Sequence, residues 1–287
     1  MLTFQKIVFP IDFSERCVQT APYVASIAHK FGSDIALLHV FDLHNGYGIA
    51  SSTVYAAYAD LIRERRSHEL EAFGRRDFDG LNVTRAVELG ETAEVITRCV
   101  DEHGADLIVI PTHGHGRFRA LLLGSVTSKV LHDAACPVWT TVHSETLAVS
   151  GCMDIARIVC AVDLSPDTVR VIQSARDVAD RYGSSVQLVH AIPAPEAGSS
   201  RDMDETFRRF LFDTANSEVI KRQQEAGTHY ELCIKPGKIS AVVREAATNW
   251  GASLVVIGRG RAQGILGRLR TSVSAIVRES PCPVLSV

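Results

Sequence analysis

Two stretches of this chain carry residues able to hold a small polar ligand. Asp12 directly follows the apolar run Ile7–Ile11, while Ile110-Pro-Thr-His-Gly-His-Gly116 leads through an apolar segment to Gly124-Ser125 at the start of a helical pattern. The N–H groups at a helix N-terminus, beside a residue without a Cβ, attract an oxyanion such as phosphate. Ser125 and Thr127 add hydroxyl donors there. Asp12 can hold a ribose hydroxyl, an adenine edge or a magnesium ion, and it can equally serve only to cap the next helix. His113 and His115 form an H-x-H pair, but no carboxylate or cysteine stands near them at ligand spacing. They are therefore read as lining the mouth of a site, touching phosphate when protonated, rather than as zinc ligands.

The elements that must position these residues occur twice. Lys6–Phe41 lies without gaps over Arg157–Ile192 at a constant offset of 151, with ten identities that include Asp12/Asp163, Ser14/Ser165, Gly32/Gly183 and His39/His190. Gly90–Ile110 lies over Gly237–Ile257 at an offset of 147, and both halves close on Cys-Pro-Val, at 136–138 and 282–284. Such self-similarity marks a tandem duplication. In the first copy, Ile7–Ile11 reads as a strand buried on both faces, and a helix capped by Ser14 or Asp12 ends at Gly32. Strands over 34–41, 82–88, 106–110 and 138–142 alternate with helical patterns over 55–73, 93–103 and 126–132. This alternation predicts an α/β fold with two tandem open parallel-sheet domains, helices covering both faces. The expected boundaries are residues 1–143 and 153–287, with 144–152 as a polar linker. In an open parallel sheet, ligands bind beyond the carboxyl ends of the strands where strand order reverses. Asp12 and the 110–127 stretch both fall there.

Composition narrows the field. With 287 residues there is enough chain for two cores, and a formal net charge of −3 offers no electrostatic case for nucleic acid or an anionic membrane. The N-terminal residues lack the pattern of a signal peptide, and no apolar run reaches the roughly 18 residues of a membrane span. Seven scattered cysteines without a CxxC suit buried, reduced thiols, so a cytoplasmic location is expected. Cys136 and Cys282 precede prolines beside buried strands and are read as packing residues. His39 and His190 are read as satisfied buried histidines.

The ordered array of Asp-Phe-Ser-Glu after the first strand, Leu-Leu-His-Val in the second, Gly-Ala-Asp-Leu-Ile-Val-Ile at the fourth, and Gly114-x9-Gly124-Ser125 before Cys-Pro-Val resembles the universal stress protein family over nearly all of both halves. The resemblance implies the nucleotide-binding fold of adenine nucleotide alpha hydrolases, with ATP (or ADP or AMP) and magnesium bound through a G-x2-G-x9-G-[ST] pattern. It implicates Pro10, Ile11, Asp12 and Val40 near adenine and ribose, Ile110, His113 and Gly114 beside the nucleotide, and Gly124, Ser125, Val126 and Thr127 around the phosphates, with Asp12 meeting magnesium indirectly. Pro111 stands in place of the pattern's first glycine, which removes one N–H and some loop freedom.

The second copy departs further. Asp163, Ala191, Gly258, Gly260, Thr271 and Ser272 are its candidate counterparts. Two registers are open: without a gap, Arg261 takes the second glycine's place; with one residue deleted, Gly260 matches Gly114 and Arg270 replaces Gly124. The second register also aligns the Cys-Pro-Val segments and is preferred. In both, the glycine before the phosphate-contacting serine is missing, although Arg261, Arg268 and Arg270 can supply positive charge instead. No nucleophile–base pair is identifiable from spacing. The expected function is therefore a regulatory or stress-response protein binding one adenine nucleotide in the first domain and read by an unidentified protein partner, with at most slow ATP hydrolysis. A nucleotide-free scaffold or small-ligand binder is the alternative. The strands after Cys-Pro-Val are expected to pair, giving a pseudo-dimeric monomer or a homodimer.

Overall fold

The computed structural model describes residues 2–43, 52–112, 123–141, 154–192, 205–260 and 268–287, with the side chains of 52–53 and 268–271 excepted. The chain divides into two compact units, Thr3–Met153 and Asp154–Val287. The expected linker, Val142, His113, Gly114 and His115 lie outside the described residues.

The first domain runs β1 (Lys6–Pro10), α1 (Glu15–Phe31), β2 (Asp34–Phe41), α2 (Ser52–Ala72), β3 (Val83–Leu89), α3 (Thr92–His103), β4 (Leu107–Pro111), α4 (Ser125–Asp133) and β5 (Val138–Thr141). Its strands are parallel and ordered β3-β2-β1-β4-β5. The order reverses between β1 and β4, so their carboxyl ends flank a crevice. The second domain repeats this plan with β6 (Arg157–Ala161), α5 (Thr168–Tyr182), β7 (Ser185–Ile192), α6 (Glu205–Ala226), β8 (Glu231–Pro236), α7 (Ile239–Trp250), β9 (Leu254–Ile257), α8 (Arg268–Glu279) and β10 (Val284–Ser286). Its parallel order is β8-β7-β6-β9-β10.

Past the first residue of β1 and β6, Lys6 and Arg157, the central strands are apolar because helices cover both faces. Ile7, Val8 and Phe9 of β1 and Leu107, Ile108 and Val109 of β4 are wholly buried. Each such side chain contributes about 1.5–3 kcal/mol of burial. Ser14, rather than Asp12, is the N-cap of α1: its side chain accepts the Cys17 N–H. Gly32 and Gly183 end the first helix of each domain at φ +72° and +75°, a left-handed conformation that glycine adopts without a Cβ penalty. α2 begins three residues before the expected Tyr55.

One polar bond is sunk in the first core. Trp139 of β5 is wholly buried and its Nε1–H donates to the Tyr23 hydroxyl of α1 at 2.7 Å. Tyr23→Phe leaves that donor without this acceptor, and we expect a loss of about 1–2 kcal/mol in urea unfolding followed by tryptophan fluorescence.

Candidate nucleotide site

At the end of β1 the chain leaves the sheet under tight control. The Ile11 N–H still donates to the Leu38 carbonyl at 2.8 Å, and the Ile11 carbonyl accepts from His39 Nδ1 on β2 at 2.7 Å. A carbonyl can only accept, so the proton sits on Nδ1 and Nε2 is unprotonated. The second domain repeats both contacts: Val162 N–H to the Val189 carbonyl at 2.9 Å, and His190 Nδ1 to the Val162 carbonyl at 2.8 Å. One residue on, Asp12 Oδ1 accepts the Ser14 N–H at 2.9 Å and the Cys17 thiol at 3.0 Å. Asp163 Oδ1 likewise accepts the Ser165 N–H at 3.0 Å. These turns force the intervening residues, Phe13 and Leu164, to φ +59° and +63°. Neither is glycine, so both domains hold a strained residue beside the crevice. Asp12 therefore shapes the turn as well as facing the crevice, and burial pushes the neighbouring Cys17 thiol well up from its ordinary value.

The other wall comes from β4 and α4. Thr112 donates its N–H and its hydroxyl to the Thr141 carbonyl, both at 3.2 Å, and its own carbonyl accepts the Gly124 N–H at 2.9 Å. The two ends of the intervening loop are thus tied together. Gly124 is the N-cap of α4 at φ −58°, ψ 144°, so what glycine contributes is its missing Cβ and not a special dihedral. Ser125, Val126 and Thr127 carry the first N–H groups of α4, which helix geometry leaves without intrahelical acceptors. Ser125 is exposed. Thr127 corrects an expectation: its hydroxyl is buried and donates to the Pro111 carbonyl at 3.0 Å. It stitches α4 to β4 and is not available to phosphate. Lys129 of α4 also bonds Glu91, the N-cap of α3, and Glu94 of that helix at 2.9 and 3.0 Å.

Pro10, Ile11, Asp12, Val40, Ile110 and Gly124–Thr127 thus all come from the carboxyl ends of β1, β2 and β4 or the start of α4. In the second domain, Asp163, Ala191, Gly258, Gly260 and Ser272 line one cavity of about 180 Å³. Sequence reasoning missed most of its wall: Ile239 and Val243 of α7 and Val273 and Ile276 of α8 line it too. Their helical spacing of three and four was the available signal, and it reads as ordinary core.

The hydrogen bonds also settle the register of the second copy. Thr112 N–H to Thr141 O corresponds to Arg259 N–H to Val287 O, and Ala134 N–H to Val130 O corresponds to Ser280 N–H to Ile276 O. The offset is 147 at the start of the loop and 146 after it, so one residue is deleted between them and Arg270 replaces Gly124. Ser125 then corresponds to Thr271, yet α8 already begins at Arg268, three residues earlier. In an α-helix the N–H four residues in bonds the first carbonyl, so those of Ser272 and Val273 fall inside the hydrogen-bonded helix.

Two tandem open-sheet α/β domains, each with its crevice at the β1/β4-type reversal, define a nucleotide-binding architecture. The family model described as the universal stress protein family matches residues 3–141 and again 155–287, and the chain belongs to that family. A universal stress protein of Methanocaldococcus jannaschii is 27% identical over 136 residues, covering 47% of this chain and 80% of its own. One of Mycobacterium bovis is 27% identical over 204 residues, covering 69% and 67%. The crystal structure of a universal stress protein from Archaeoglobus fulgidus shares the fold over 100% of this chain and 97% of its own, at 20% identity and a TM-score of 0.68. Another universal stress protein, solved in complex with cAMP, matches 47% of this chain and 98% of its own at 23% identity and a TM-score of 0.35. Among the described residues no helix is long and apolar enough to cross a membrane.

Two measurements probe the site's framework. Thr127→Val leaves the buried Pro111 carbonyl without this donor, with an expected loss of about 1–2 kcal/mol in urea unfolding, whereas Ser125→Ala leaves stability unchanged. His39 is 7% exposed and its Nε2 has no partner among the described residues. Burial, joined by the charge of Arg66, holds its pKa below the ordinary 6.5. Its contribution to stability is therefore full above that value and is lost as pH falls through the folded-state pKa. We expect wild-type stability to drop on mild acidification, and His39→Gln, whose amide can still bond Ile11, to flatten that drop in urea titrations at neutral and acidic pH.

Proposed function

We propose that the first domain binds one adenine nucleotide, ATP with magnesium, and that occupancy regulates a surface read by a protein partner. The observation that supports this best is the open N-terminus of α4. Three N–H groups and the exposed Ser125 hydroxyl stand at the sheet's reversal point beside a cap with no Cβ, as a phosphate requires. Adenine and ribose would lie along the ends of β1 and β2, near Ile11, Asp12 and Val40. Magnesium fits only indirectly: Asp12 Oδ1 already accepts two hydrogen bonds, so the ion would be held mainly by the phosphates, with Asp12 reached through water. Pro111 ends β4 with no N–H to offer a nucleotide, and its carbonyl accepts the Thr127 hydroxyl, so phosphate contacts would come from α4. We expect at most slow hydrolysis. The cysteines of the described residues are free thiols, in keeping with a cytoplasmic protein.

Native mass spectrometry of the purified chain and its thermal shift with millimolar ATP and magnesium test this reading. One bound adenine nucleotide and a raised melting temperature are expected. Gly124→Arg should abolish the shift, and Thr271→Arg should leave it intact. No bound nucleotide together with no shift would favour a scaffold, and equal effects of the two variants would remove the asymmetry between domains.

A further inference from the structure

The second domain keeps a cavity but has closed the feature that would receive a phosphate. Its walls are mainly apolar, with Val189 and Ile257 from two strands, Val162 just beyond β6, and Val243, Val273 and Ile276 from two helices. At about 180 Å³ it exceeds the roughly 150 Å³ that accommodates one benzene in an apolar protein cavity. The polar side chains are few: Asp163, Ser272 and His190, whose Nδ1 is already engaged by the Val162 carbonyl. Asp163 is exposed, and its Oδ1 is engaged by Ser165 N–H while Oδ2 has no partner among the described residues. α8 runs three residues past the position where α4 begins, so the N–H groups that face the crevice in the first domain are spent on its own carbonyls in the second.

We propose that this cavity binds a small uncharged aromatic molecule bearing one hydrogen-bond donor, and not a nucleoside phosphate. The ring would fill the space between β7, α7 and α8, and its N–H or O–H would donate to the Asp163 carboxylate at the mouth. A carboxylate accepting from a neutral donor is a charge-assisted bond, which fixes the ring's orientation while the apolar wall supplies affinity. The site is independent of the first domain, so the two readings fail separately.

Indole is a suitable probe, used with the full-length chain. Saturation-transfer NMR should show binding at sub-millimolar concentration, and indole protons should give contacts to the methyl groups of Val243 and Ile276 in the wild-type protein. Ala191→Phe, which places a ring at the partly exposed end of β7, should weaken indole by about tenfold or more while ATP still shifts the melting temperature. Asp163→Asn should weaken indole more than it weakens benzene, which has no donor. Gly124→Arg should leave indole binding unchanged. Absence of saturation transfer at millimolar indole, contacts to methyls elsewhere, or displacement of indole by ATP in the Gly124→Arg protein would each overturn the proposal.

Discussion

A histidine on the second strand closes the hydrogen bonding of the first, and each domain depends on it. Where β1 stops, its next carbonyl has no strand partner, yet it is buried beside the crevice. His39 answers it from β2, and His190 does the same for Val162. With that carbonyl satisfied, the chain can turn sharply at the aspartate and enter α1 through the Ser14 cap. The ring is held neutral by its surroundings: Phe13 lies 4.6 Å from it, and the Arg66 guanidinium lies 5.6 Å over Phe13. The geometry of the crevice thus rests on a ring nitrogen spent on the backbone beside it, and in the second domain the same ring also lines the cavity.

Much of this was readable from residue order. The unbroken apolar runs of β1 and β4 announce strands covered on both faces, Gly32 and Gly183 mark helix ends, and the repeat doubles every inference. The features that escaped are those set by a single contact across the fold. Nothing in Asp-Phe-Ser says that Phe13 must adopt positive φ; that follows only once Ser14 N–H reaches back to Asp12. Thr127 looks like a phosphate ligand by position, but helix burial turns its hydroxyl toward Pro111. Ile239, Val243, Val273 and Ile276 carry the spacing of any core helix, and only their placement opposite β7 reveals a cavity between them.

The two domains share one fold and differ at one helix terminus. At Gly124 the helix is stopped by a residue of poor helix propensity in an extended conformation. The corresponding Arg270 is flanked by Leu269 and Arg268, all good helix formers, and the gain of about 1 kcal/mol over glycine favours winding the segment into α8. The sheet, the turn at the aspartate and the buried histidine are untouched by that change.

The extra turn of α8 also sets how far apart the two copies stand. Had only a side chain been exchanged, one substitution could make them alike. Here the backbone itself differs, and a glycine at 270 would still lie inside a helix whose preceding residues favour staying helical. The two copies are thus separated by a conformational step and not by a single residue.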